Sequence, residues 1–151
     1  LLLGFGWGKP VQFDPYNLKD PRRDAAWISI AGPSSNFILA IILALLLKLF
    51  IILQLNFLTI IGGLIFVPVI RMNIMLGVFN LLPIHPMDGF KIIEGILPEK
   101  KVHEWTSLQR YGMIFLMLLI FPLFGGRSIL DSFLTPTINF FFNLLVPGGI
   151  I

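Results

Sequence analysis

The chain has 151 residues, the size of one domain, and its 56% hydrophobic and 13% charged composition excludes a water-soluble fold, since soluble domains carry about 25% charged side chains. It contains no cysteine, which excludes disulfides, thiolate metal sites and cysteine nucleophiles. Its net charge of +3 comes from basic residues between apolar runs, a pattern typical of membrane topology, so we predict a protein of the lipid bilayer with no nucleic-acid partner.

Charge-free runs divide the chain into candidate membrane segments. They cover residues 25–47, 49–70, 72–87, 111–126 and 132–151. A helix needs about 20 residues to cross a bilayer. The first three runs therefore predict a crossing near residues 28–47 and a return near 57–82. The last two predict further helices near 111–124 and 129–146, and the number of C-terminal crossings stays open.

Most of the Lys and Arg residues lie in two polar connections, at residues 9–24 and 91–110. Because an excess of Lys and Arg marks cytoplasmic loops, we expect both connections of this multi-pass protein to face the cytoplasm. We predict a single domain with four successive parts: an N-terminal remnant and connection at 1–24, a core at 25–97, a second cytoplasmic connection at 98–110, and C-terminal membrane helices at 111–151.

The first run contains a small and polar stretch, Gly32-Pro33-Ser34-Ser35-Asn36. We expect it at the head of the first membrane helix, because proline in a first turn loses no backbone hydrogen bond. The small residues would let another helix approach closely, with Asn36 facing that partner. A capped helix start with one interhelical polar contact explains the same residues equally well.

A second polar stretch spans residues 80–89 and contains Pro83 and Pro86. Prolines at this spacing prevent a continuous helix, so we expect an extended segment at or near membrane depth, tolerated only beside a cavity or another strand. The carboxylate of Asp88 is costly in hydrocarbon unless it is paired or holds a metal. The alternative is a membrane-exit turn in which Asp88 caps a helix at 89–97.

The second stretch has the spacing Asn80-x-x-Pro83-x-x-Pro86-x-Asp88-Gly89. This spacing resembles the late motif of the site-2 protease family, which are intramembrane zinc metalloproteases.

The earlier stretch, Gly32-Pro33-x-x-Asn36, is similar to that family's motif on the preceding helix, and the two motifs occur in the family's order. The phrases at residues 6–11 and 17–23 also look like the segment before this helix in compact bacterial members. The resemblance extends from about residue 6 to about residue 97.

The resemblance implies an all-α polytopic membrane protein with a site-2-protease-like core and a Pro-broken active-site helix, in a bacterial or archaeal cell membrane. It implies a zinc ion bound by Asp88 and by two His of a His-Glu-x-x-His helix. It also implies that Asn80 and Asn36 are catalytic, that Pro83 and Pro86 bind substrate, and that the partner is a transmembrane protein cleaved in regulated intramembrane proteolysis.

One family feature is absent, because no His-Glu-x-x-His occurs in this sequence. The two histidines are His85 and His103. We interpret His103 as part of a solvated amphipathic stretch. His85 is predicted to line the same cavity as Asp88 or to support it, with a helix-cap or water-facing role as the alternative. We therefore expect an incomplete zinc site in an N-terminally truncated member that is inactive as it stands.

Two other functions stay open. A non-catalytic homologue would bind transmembrane helices without cutting them. A small ion or proton transporter subunit would use Asp88, Asn80 and Asn36 to bind a cation, as polar groups beside broken membrane helices do elsewhere. Upstream DNA encoding an in-frame His-Glu-x-x-His would favour the protease.

Overall fold

The computed structural model describes residues 20–122, 126 and 128–146, and over these residues it is helical without a strand. Within them lie the helices α1 (Pro21–Ile52), α2 (Asn56–Asn80), α3 (Asp88–Ile96), α4 (Glu99–Ser107), α5 (Gly112–Ile120) and α6 (Ile129–Leu145), with a 3-10 turn, Leu108–Tyr111, between α4 and α5. The predicted all-helical class is confirmed. Residues 6–11 and 17–19, which contribute to the resemblance, lie outside the described residues.

The first helix begins earlier than expected. Asp20 caps α1 by accepting a hydrogen bond of 3.2 Å from the backbone N–H of Arg23. Pro21 then occupies the first turn, where a missing N–H costs nothing. Pro33 is a fully buried residue inside α1. The expectation that Pro33 heads this helix is therefore wrong, because the polar residues before it already provide the cap.

Within the part of the chain that the structure describes, two helices, α1 with 32 residues and α2 with 25, are long and apolar enough to cross a membrane. At 1.5 Å per residue α1 is about 48 Å long, which exceeds the roughly 30 Å hydrocarbon core of a bilayer. They lie where the sequence predicts the first crossing and its return. The apolar α6 has 17 residues, and the wider multi-pass topology stays a prediction.

The helices α1 and α2 pack as an antiparallel pair. Leu47 lies against Gly62, and Phe37, further toward the start of α1, lies against Gly77, further toward the end of α2. Small side chains let two membrane helices approach closely. The inward stripe of α1 consists largely of such residues: Ala26, Ser29, Pro33, Ala40 and Ala44.

The apolar core is completed by α6, which packs on α2. Its buried residues recur every four positions, which places them on one helical face: Leu130, Leu134, Ile138 and Phe142. They form one cluster with Ile70, Ile74 and Val78 of α2. Arg71 donates a hydrogen bond of 3.0 Å to Asn139 across the same interface.

The short helix α3 runs back along the N-terminal half of α1. Asp88, its first residue, lies against Gly32, and Gly95, near its end, lies against Ala26. This antiparallel contact fixes the start of α3 beside the middle of α1. The helices α2 and α3 therefore both pack against α1.

Candidate metal and substrate site

The carboxylate of Asp88 lies against the backbone of α1 at Gly32. A Cβ atom at position 32 would stand 2.9 Å from Oδ2 of Asp88, closer than real Cβ atoms approach other atoms. Glycine therefore leaves the space that the carboxylate occupies. Through this contact the structure brings together the two polar stretches that the sequence singles out.

Asp88 begins α3 but does not cap it. The capping position belongs to Met87, and no side-chain hydrogen bond caps the helix. The alternative in which Asp88 only caps the following helix is therefore wrong. The carboxylate faces α1 instead. A metal ion or substrate bound between the two motifs would lie on this side of Asp88.

The environment of Asp88 disfavours an isolated negative charge. The residue lies outside the two spanning helices and is half-buried. Burial raises the pKa of its carboxyl above the ordinary value, and the positive charge of Lys91 partly opposes this rise. A bound cation would lower the cost of keeping this carboxylate charged.

Residues 81–87 connect α2 to α3 through successive turns. The backbone N–H groups of Ile84 and Met87 each make a turn hydrogen bond of 2.8 Å. Pro83 and Pro86 have no N–H to contribute. The expectation of an extended segment is therefore wrong, because local turns satisfy part of the backbone. Whether the interruption forms a broken active-site helix stays a prediction.

Gly89 ties this turn segment to the start of α3. A Cβ atom at position 89 would overlap the backbone carbonyl oxygens of Leu81 and Leu82. The end of α2 and the first turn of α3 are thus in direct backbone contact. Asp88, next in sequence to Gly89, is consequently positioned by main-chain packing and not by flexible side chains.

The two asparagines lie close to these contacts in sequence and fold. Asn36 follows Gly32 by one helical turn, which places it on the face of α1 that contacts Asp88. Asn80 is the last residue of α2 and precedes Leu81, whose carbonyl meets Gly89. Both asparagines are half-buried. Their catalytic roles stay predictions.

The two histidines do not complete a three-ligand metal site with Asp88 in the described part of the chain. The ring of His85 meets Phe90 edge-on at 5.7 Å between centroids, and His103 is exposed on α4. Among the described residues, no group of three or more His, Cys, Asp or Glu side chains is placed to hold a metal ion. A catalytic zinc takes three protein ligands. The described residues, Asp88 included, therefore do not by themselves fit a zinc ion.

An apolar cavity of about 360 Å³ borders the turn segment. Its walls come from α1, from the end of α2 with the turns that follow, and from α6, and they include Phe37, Val78, Leu82, Pro83, Thr137 and Phe141. Both predicted substrate-binding prolines are exposed, and of the two only Pro83 lines this cavity. Sequence reasoning missed the contribution of α6, because no local pattern connects it with the distant motifs.

Comparison with known proteins gives a consistent result. Residues 54–120 match the sequence profile described as Peptidase family M50. The chain is 40% identical over 127 residues to a Bacillus subtilis protein provisionally named zinc metalloprotease YwhC, covering 82% of this chain and 58% of that protein. It is 38% identical over 111 residues to a zinc metalloprotease of Methanocaldococcus jannaschii, covering 74% of this chain and 31% of that protein. No solved structure gives a significant match.

Proposed function

Since this chain belongs to the site-2 protease family, peptidase family M50, we propose that it forms part of an intramembrane zinc metalloprotease. The proposed reaction is hydrolysis of a peptide bond within or near the transmembrane segment of a protein substrate. The chain spans 58% of the Bacillus subtilis relative and 31% of the archaeal one. Because it covers only part of each relative, we state the activity of the whole protein as a proposal.

The contact between Asp88 and Gly32 is the observation that carries this proposal. It joins the start of α3 to the middle of α1 and so unites the two motifs at one place. Asp88 is half-buried, and burial raises the pKa of its carboxyl although the charge of Lys91 partly opposes this rise, so a bound cation would stabilise the charged form. A role as metal ligand explains both its position and the glycine that makes room for it.

In the proposed site Asp88 is one of three protein ligands of zinc. The other two ligands and the catalytic Glu, which the family takes from a His-Glu-x-x-His helix, are not among these 151 residues. We propose that polypeptide outside this sequence supplies them, and we expect no cleavage by the 151-residue chain alone. When bound, the metal would supply an activated water.

The remaining predicted residues would hold the substrate. A helical substrate hides its carbonyl groups in its own hydrogen bonds, so it must unwind before it can be cleaved. We propose that the turn segment, with Pro83 and Pro86, receives the unwound stretch. Asn80 and Asn36 would donate hydrogen bonds from their amides to the substrate backbone. The polar connections at 9–24 and 91–110 would lie on the cytoplasmic side.

Cleavage of a transmembrane substrate by the product of the complete gene tests this proposal. The wild type should cut the substrate in membranes, and Asp88→Asn should abolish cleavage because a neutral amide is a poor zinc ligand. Asp131→Asn is the matched control. Asp131 is an exposed residue on α6 that accepts a hydrogen bond of 2.8 Å from Thr135, and its replacement should leave the rate unchanged.

Other outcomes would overturn the proposal. Cleavage by Asp88→Asn at the wild-type rate would remove Asp88 from the site. A wild-type protein that binds the substrate helix without cutting it would be a non-catalytic homologue. Cation or proton flux through vesicles that depends on Asp88, without cleavage, would favour the transporter alternative.

A further inference from the structure

We propose that the apolar cavity beside the turn segment binds one large apolar side chain of the substrate, adjacent to the bond that is cleaved. This inference rests on the proposed function and adds a determinant of specificity to it. Its occupant is a side chain such as that of Leu or Phe, presented by the unwound transmembrane segment.

The position of the cavity connects it to Asp88. Leu81 and Leu82 line the cavity, and their carbonyl oxygens lie against Gly89. One short stretch of backbone therefore forms the cavity wall and also positions the residue that follows Asp88. A substrate backbone lying along this stretch would place one side chain in the cavity while its neighbouring peptide bond faces Asp88.

The chemistry of the walls selects an apolar occupant. The lining is almost entirely aliphatic and aromatic, and its hydroxyl group belongs to Thr137. That hydroxyl already donates a hydrogen bond of 2.9 Å to the carbonyl of Phe133 within α6. A polar or charged side chain would therefore lose its hydrogen bonds to water without full replacement, which is unfavourable.

The size of the cavity excludes a whole helix as its occupant. A helix with its side chains is about 10 Å across, whereas the cavity has a volume of about 360 Å³. This volume lies near the lower end of the range for binding pockets, roughly 300 to 1,000 Å³. Phe37 and Phe141, whose rings are 5.5 Å apart, connect α1 and α6 at this wall.

A substrate series tests the inference directly. Membrane substrates carrying Ala, Leu or Phe at successive positions around the cleaved bond would be compared with the product of the complete gene. The wild type should prefer Leu or Phe at one of these positions. Thr137→Phe fills the cavity and should lower cleavage of that preferred substrate about tenfold relative to the Ala substrate.

Two further variants keep the test decisive. Thr135→Phe introduces the same side chain on the exposed part of α6 outside the cavity lining and should leave the preference unchanged. Phe133→Ala removes a cavity-lining ring that is 58% exposed, so the fold should tolerate it, and the preference should shift toward the larger Phe substrate.

The outcomes separate this inference from the proposed function. If the wild type cleaves no membrane substrate, the proposed function fails and the inference fails with it. If the wild type cleaves and neither Thr137→Phe nor Phe133→Ala changes the preference, the proposed function stands and the cavity holds something other than a substrate side chain, such as a lipid chain.

Discussion

The two faces along which the membrane pair meets its neighbours are built in different ways. Where α1 meets α3, the carboxylate of Asp88 lies against Gly32 and the side chain of Ala26 lies against Gly95, so two glycines leave the space for these contacts. Where α2 meets α6, aliphatic and aromatic side chains make most of the contact, with one hydrogen bond between Arg71 and Asn139, and the contact borders a cavity. The first contact fixes the position of the Asp88 carboxylate. The second holds α2 and α6 together and leaves a cavity beside them. We infer that the first contact serves chemistry and the second serves stability and specificity.

Placing a side chain at position 32 would break the first contact and should have the largest effect. In Gly32→Val the new Cβ would displace the carboxylate of Asp88, whose Oδ2 stands 2.9 Å from that point. Because the clash is with the end of a side chain, Asp88 can rotate away and α3 can keep its place. We therefore expect folded protein that has lost its cleavage of transmembrane substrates.

The matched control for this variant is Ala31→Val, which adds a β-branched side chain at the exposed neighbouring position of α1. It should retain cleavage. Equal activity of the two variants, measured on protein shown to be folded by circular dichroism, would contradict the assigned role of the Gly32 contact.

Truncating a buried side chain of α6 tests the second contact and should have a smaller effect. Leu134 belongs to the apolar cluster and is 9% exposed, so Leu134→Ala should lower the free energy of unfolding by about 2 kcal/mol through lost packing. Leu144→Ala, at a position that is 71% exposed, should change it by less than about 0.5 kcal/mol. Reversible unfolding in mixed lipid and detergent measures both values.

The loss of stability in Leu134→Ala should leave substrate cleavage intact. Because Leu134 packs in the apolar cluster and takes no part in the contact of Asp88 with Gly32, Leu134→Ala should keep the substrate cleavage that Gly32→Val loses. Loss of cleavage in well-folded Leu134→Ala protein would show that the two contacts are not separable.

The sequence predicted those parts of the fold that depend on local composition. Charge-free runs locate α1 and α2 because crossing a membrane requires length and apolarity. The start of α1 was misplaced, because a proline inside a helix is tolerated when neighbours pack around it, as they do around Pro33. The expectation of an extended chain at residues 81–87 is also wrong, since local hydrogen bonds form turns there.

The sequence motifs name the residues of the candidate site, but they do not predict how these residues are arranged. Motif spacing singled out Asp88 and Gly32, yet only the fold shows that one residue occupies the space left by the other. The cavity was not predictable, because Thr137 and Pro83 belong to distant segments whose contact depends on how α6 packs. The roles of Asp88, Asn80, Asn36, Pro83 and Pro86 remain predictions.

Zinc content tests the central claim, that Asp88 is a metal ligand, most directly. The product of the complete gene, purified from membranes, should contain stoichiometric zinc by elemental analysis. Asp88→Ala should lose the metal, whereas Asp131→Ala, which removes an exposed carboxylate from α6, should retain it. Zinc bound by folded Asp88→Ala protein at the wild-type level would contradict the account.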